Sequence, residues 1–190
     1  MSDMREAVMA MPDHLRDAIW RIESERLTTM EAPVAIVCGM GGSAIGGDLG
    51  AAALGDRLTR QMFTVRSYEL PTWSPAGSAV LCSSYSGDTE ETLACYDAAE
   101  ALGAQRLVAT TGGDLAEAAR RDGVPVIGLP AGLQPRAAVA YMFCSATELA
   151  VLAMAVARRA HQQPVPELEA ADEGLVVQAD REGLATVFGH

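Results

Sequence analysis

VAIVCGMGGS (residues 34–43) and VLCSSYSGDT (residues 80–89) share one plan: an apolar run, a turn of Gly and Ser, then a helix-like stretch. Short apolar runs alternating with helical patterns of 10–15 residues imply βαβ units and a parallel sheet covered on both faces. Working outward, strands are predicted at 33–38, 62–67, 79–83, 106–110 and 124–128. Helices are predicted at 43–54, 89–102, 114–121 and 136–160, with an amphipathic helix over 4–29 ahead of them. Gly103 is placed to end the helix over 89–102. A strand order of 2-1-3-4-5 makes the carboxyl ends of strands 1 and 3 the topological switch point, where ligands of open α/β sheets bind. Both Gly/Ser turns leave from those two ends.

The chain has 190 residues, 49% of them hydrophobic, enough for a proper core. Its net charge of −11 argues against a nucleic-acid partner, which needs a basic face. The four cysteines, Cys38, Cys82, Cys95 and Cys144, show no metal-ligand spacing and read as reduced thiols of a cytoplasmic protein, two of them sitting in apolar strands as small buried residues. No metal and no cofactor is expected. Asp3, Glu6 and Asp13 exclude a signal-peptide pattern at the N-terminus. No run of ~18 apolar residues is seen, and Arg158 and Arg159 interrupt the most apolar helix, so no membrane partner is expected.

Gly39, Gly41 and Gly42 let the backbone turn tightly, and Ser43 is placed to cap the next helix. A plain strand-to-helix turn has the same look. A rival is the dinucleotide fingerprint, which Gly39, Gly41 and Ala44 satisfy. That rival expects an acidic residue at the end of strand 2. The sequence offers Arg66 there, which suits a 2′-phosphate, so an NADP-dependent oxidoreductase stays open. Ser83, Ser84, Ser86 and Thr89 then place four hydroxyls within seven residues of the second turn, beside Gly87. A dinucleotide fold has no use for them. The free oxygens of a phosphomonoester do, since each accepts several hydrogen bonds at a helix N-terminus. Asp88 is unfavourable beside a dianion unless it points outward or caps a helix.

GMGGSAIGGD (39–48) and SYSGDTEET (84–92) resemble the two phosphate loops of the sugar isomerase (SIS) family. LQPRAAVAY (133–141) resembles the proline-arginine segment of its bifunctional phosphoglucose/phosphomannose isomerase branch, and the likeness spans about residues 33–160. The resemblance implies a three-layer α/β/α sandwich whose five-stranded parallel sheet has the flavodoxin-like order 2-1-3-4-5. It implies a phosphorylated-sugar ligand held by Gly41, Gly42, Ser43, Ser84, Ser86, Gly87 and Thr89. It implies a catalytic Arg136 near C1 and C2 of the open-chain sugar, stabilising a cis-enediolate as charge develops. Asp88 stands where the branch usually has asparagine.

Aldose–ketose isomerisation also needs a base. In this branch a glutamate, a histidine and a lysine of a second SIS domain act, and no second loop set occurs in these 190 residues. His14, His161 and His190 read as surface residues, and Glu91 and Glu148 as structural carboxylates. The expected organisation is an N-terminal helix (1–32), a phosphosugar-binding domain (33–162) and a linker with a C-terminal helix (163–190) leading to an absent second domain. The expected function is that of the N-terminal half of a glucose-6-phosphate/mannose-6-phosphate isomerase, inactive or weakly active alone. The alternative is a non-catalytic phosphosugar-sensing or assembly module. The expected protein partner is a second copy, which for the module would pair through the long apolar helices, or a missing second SIS domain.

Overall fold

The computed structural model of the chain describes residues 4–154. The linker and C-terminal helix expected over 163–190, together with Arg158, Arg159, His161 and His190, lie outside the described residues. So does the boundary placed at residue 162.

Five parallel strands form one sheet in the order β2-β1-β3-β4-β5. They are β1 (Ala35–Cys38), β2 (Met62–Val65), β3 (Ala79–Ser83), β4 (Gln105–Thr110) and β5 (Val126–Gly128). Every residue of β1 and β3 is buried, as a central parallel strand covered on both faces requires. Successive side chains point to opposite faces. Val37, Leu81 and Leu107 therefore face α2 (Met11–Ser24) and α6 (Val139–Ala153). Ile36, Val80 and Val108 face α4 (Glu90–Ala101) and α5 (Gly113–Asp122).

The glycines of α3 (Gly41–Leu54) explain how it reaches the sheet. A Cβ on Gly46 would stand 2.5 Å from the backbone and Cβ of Met142 in α6, and one on Gly47 would stand 2.6 Å from Thr64 Oγ1 in β2. Only glycine lets these backbones approach so closely.

The helix predicted over 4–29 is two helices, α1 (Met4–Met9) and α2, broken at Ala10. Pro12 causes the break: it lacks an N–H, its ring crowds the carbonyl four residues back, and it fits only a helix's first turn. α2 also stops at Ser24, five residues early. The segment after it runs beside α6, where Met30 N–H donates to Leu152 O at 2.7 Å and Ala32 N–H to Ala153 O at 2.9 Å. Those carbonyls are among the acceptors that a helix C-terminus leaves unsatisfied.

The helix predicted over 136–160 begins with a 3₁₀ turn, Pro135–Ala138, and α6 ends at Ala153, with Met154 extended. Contrary to the sequence reading, Pro135–Ala153 is a 19-residue stretch long and apolar enough to cross a membrane, yet 72% of it is buried inside the domain. Met142, Leu149 and Leu152 each contribute ~1.5–3 kcal/mol by that burial, so it serves as a core helix. Its apolar face is consumed by the domain. Among the described residues, the large apolar side chains that α6 and α3 leave exposed are Val151, Ile45 and Leu49.

All four cysteines are free and buried. A hydrogen bond with Cys82, with burial adding to it, raises the Cys38 thiol well above its ordinary pKa. The Cys38 contact and burial raise Cys95. Burial pushes Cys144 up to about 12.

Candidate phosphate site

The turns after β1 and β3 meet. A Cβ on Gly39 would lie 2.7 Å from Ser83 O and 3.2 Å from Ser43 Cβ, so the end of β3 lies directly against the first loop. Gly41 supplies a left-handed φ of +51°. α3 therefore starts two residues earlier than expected, and Ser43 sits inside its first turn rather than capping it. Among the described residues the Ser43 hydroxyl has no hydrogen-bond partner. Gly42 faces the proline-arginine segment: a Cβ there would lie 3.1 Å from Pro135 O and 3.6 Å from Arg136 Cα.

The second loop is shaped by its own hydroxyls. Ser84 is buried, with Oγ 2.8 Å from Thr89 Oγ1 and accepting the Gly87 N–H at 3.1 Å. Its hydroxyl thus braces the loop. Ser86 is exposed, and its Oγ accepts the Asp88 N–H at 3.2 Å. Thr89 is the extended N-cap residue of α4, so the first amides of that helix open beside it. Gly87 has φ +87°, and a Cβ there would lie 1.8 Å from Gly112 O. Only glycine fits.

The short loop after β4 (residues 111–112) and the first turn of α5 hold the second loop in place. Thr111 N–H and Oγ1 both donate to Tyr85 O, at 3.1 and 2.7 Å. Leu115 N–H donates to Gly87 O at 3.0 Å. Asp88 turns away from the cradle, its Oδ1 accepting the Asp114 N–H at 3.0 Å in the first turn of α5. This is the outward, helix-capping pose that reconciles a carboxylate with an anion site. Sequence reading missed this buttress, although the TTGG run at 110–113 was its visible signal.

Arg136 is exposed and makes no hydrogen bond or ion pair with any described residue. It lies beside Gly42, so the structure brings the arginine and the first loop together. Arg66, the residue suited to a 2′-phosphate, is instead paired with Asp48 of α3. His14 is half-buried rather than a surface group. Its ring lies 5.6 Å from that of Tyr141, and its Nδ1 is buried without a partner among the described residues. Glu148 is half-buried on α6, and burial, then the charge of Glu23, raise its pKa. Among the described residues no group of three or more His, Cys, Asp or Glu side chains is placed to hold a metal ion.

Over 142 residues, 74% of its length, the chain is 41% identical to a bifunctional phosphoglucose/phosphomannose isomerase of Caldicellulosiruptor bescii. The chain carries a SIS domain. A second relative of the same description, from Aquifex aeolicus, is 36% identical over 115 residues, 60% of this chain. The SIS chain spans 42% and 36% of the lengths of these two relatives. No protein-family model matches it. The solved tagatose-6-phosphate ketose/aldose isomerase of Escherichia coli shares the fold, with a TM-score of 0.60 at 20% identity over 78% of this chain and 46% of that one. So does the Vibrio vulnificus NanR protein complexed with ManNAc-6P, at a TM-score of 0.52 and 19% identity over 78% and 58%.

Proposed function

We propose that this SIS domain binds a phosphorylated sugar and forms the N-terminal half of a glucose-6-phosphate/mannose-6-phosphate isomerase. The convergence of the two loops at Gly39 and Ser83 carries the reading. It offers one anion the Ser43, Ser86 and Thr89 hydroxyls and the first amides of α3 and α4. Local dipoles and donors suit a dianion here because the net charge of −11 supplies no attraction. Arg136, beside the cradle and unpaired among the described residues, is poised to stabilise the cis-enediolate. Moving a proton between C2 and C1 needs a base, which this reading assigns to a second SIS domain or a second copy of the chain.

A second reading, a non-catalytic phosphosugar-binding module, draws on Asp88. It is the carboxylate within the loops, and its Oδ1 is committed to Asp114. Calorimetry and isomerase assays with glucose 6-phosphate, fructose 6-phosphate and NADP separate the cases. Binding with turnover supports the isomerase, and binding without turnover by the 190-residue chain supports a half-site or the module. Failure of both sugar phosphates to bind, or binding of NADP alone, rejects the phosphosugar reading.

A further inference from the structure

The segment that delivers Arg136 leaves β5 through a turn at residues 130–133. Gly132, its third residue, has φ +90°, the value a type II turn requires at that position. Such a turn ordinarily closes when its fourth N–H donates to its first carbonyl. Here a hydroxyl stands between the two. Tyr85 Oη donates to Pro130 O at 2.8 Å and accepts the Leu133 N–H at 2.8 Å. Tyr85 lies between Ser84 and Ser86 in the second loop, and its own carbonyl is held twice by Thr111. One residue therefore ties together the phosphate loop, its buttress and the turn three residues ahead of Arg136.

We propose that Tyr85 is a positioning residue that couples the second loop to Arg136. The inference rests on the phosphosugar reading and deepens it. Gly42 lies against the backbone of Pro135 and Arg136 and Tyr85 is bonded to Leu133, so the backbone that carries the guanidinium meets both loops assigned to the phosphate. A ligand that orders the second loop thereby orders the arginine. Inorganic phosphate, which has no sugar to offer Arg136, gains nothing from the tether.

Tyr85→Phe removes the hydroxyl and keeps the ring in its packing. In the 190-residue chain the variant should bind fructose 6-phosphate about tenfold more weakly, the net worth of roughly one hydrogen bond, and bind inorganic phosphate within about twofold of the parent. In an Arg136→Ala background the same change should have no further effect on fructose 6-phosphate, because coupled residues are non-additive. Gly132→Ala, strained by its positive φ with open space around its Cβ, should reproduce the pattern from the other end of the turn. A parent that binds neither ligand overturns the phosphosugar reading and this inference with it. A parent that binds both, with Tyr85→Phe weakening both equally, weakening neither, or acting undiminished without Arg136, overturns the inference alone.

Discussion

Asp88 accepts the backbone N–H of Asp114 at 3.0 Å, so an acidic residue of the second loop spends its charge on the start of the neighbouring helix. Gly113 makes this approach possible, since a Cβ there would lie 2.3 Å from Asp88 Oδ1. The contact turns an apparent defect of the loop into a brace.

Asp88→Ala should therefore cost stability, ~1 kcal/mol as for a lost helix cap. Asp88→Asn keeps an oxygen acceptor and removes a negative charge near the bound anion. Its stability should stay close to the parent's while its affinity for fructose 6-phosphate rises. Thermal melts and calorimetry read the two effects.

Ser86→Ala with Thr89→Ala tests the cradle directly. Hydrogen bonds to a charged group are worth ~1.5–3 kcal/mol each, so the double variant should bind about 10²–10⁴-fold more weakly. Calorimetry with glucose 6-phosphate measures it. Unchanged affinity would remove the site from these loops.

Arg136 is exposed and unpaired among the described residues, so Arg136→Ala should shift stability by no more than ~0.5 kcal/mol. If the arginine serves the enediolate, isomerisation by the complete enzyme falls far more than phosphosugar binding does. Melting curves alongside kcat and KM compare the two.

Gly46→Ala should destabilise by ~1–3 kcal/mol, because its Cβ would meet Met142 at 2.5 Å, backbone included. Gly50→Ala is the control. Its Cβ would meet Ala146 Cβ at 3.4 Å, an ordinary contact, and the gain of ~1 kcal/mol in helix propensity should leave it neutral or stabilised. Denaturant titration distinguishes the pair.

Glu148 carries a raised pKa in the folded chain, caused first by burial and then by Glu23. A group of this kind contributes stability below its unfolded pKa and loses it as pH rises through the folded value. Glu148→Gln should therefore melt above the parent at pH 7, with the gap closing as the pH falls below the ordinary glutamate value of 4.5. Melting curves at both pH values check the sign.

The strand pattern was legible because buried parallel strands are short apolar runs, and β3 occupies the predicted span of 79–83. The loops were legible because glycines and hydroxyls cluster at strand ends. Where the reading fell short, tertiary partners had decided the outcome. The hydrophobic spacing of residues 4–29 continues through Pro12, yet the backbone does not. Ser84 and Ser86 look alike in sequence, but one faces the interior and the other solvent. The roles of Tyr85 and Asp88 depend on amides 48 and 26 residues away, a separation that local pattern does not encode.

The two covers of the sheet each carry their own thiols: Cys38, Cys82 and Cys95 beneath α4, and Cys144 within the layer on the other face. Sealed off from solvent, none can meet an alkylating reagent while its layer stays shut. The pace at which each becomes labelled is therefore the pace at which that layer lifts, and the chain holds an intrinsic chronometer for the opening of either side.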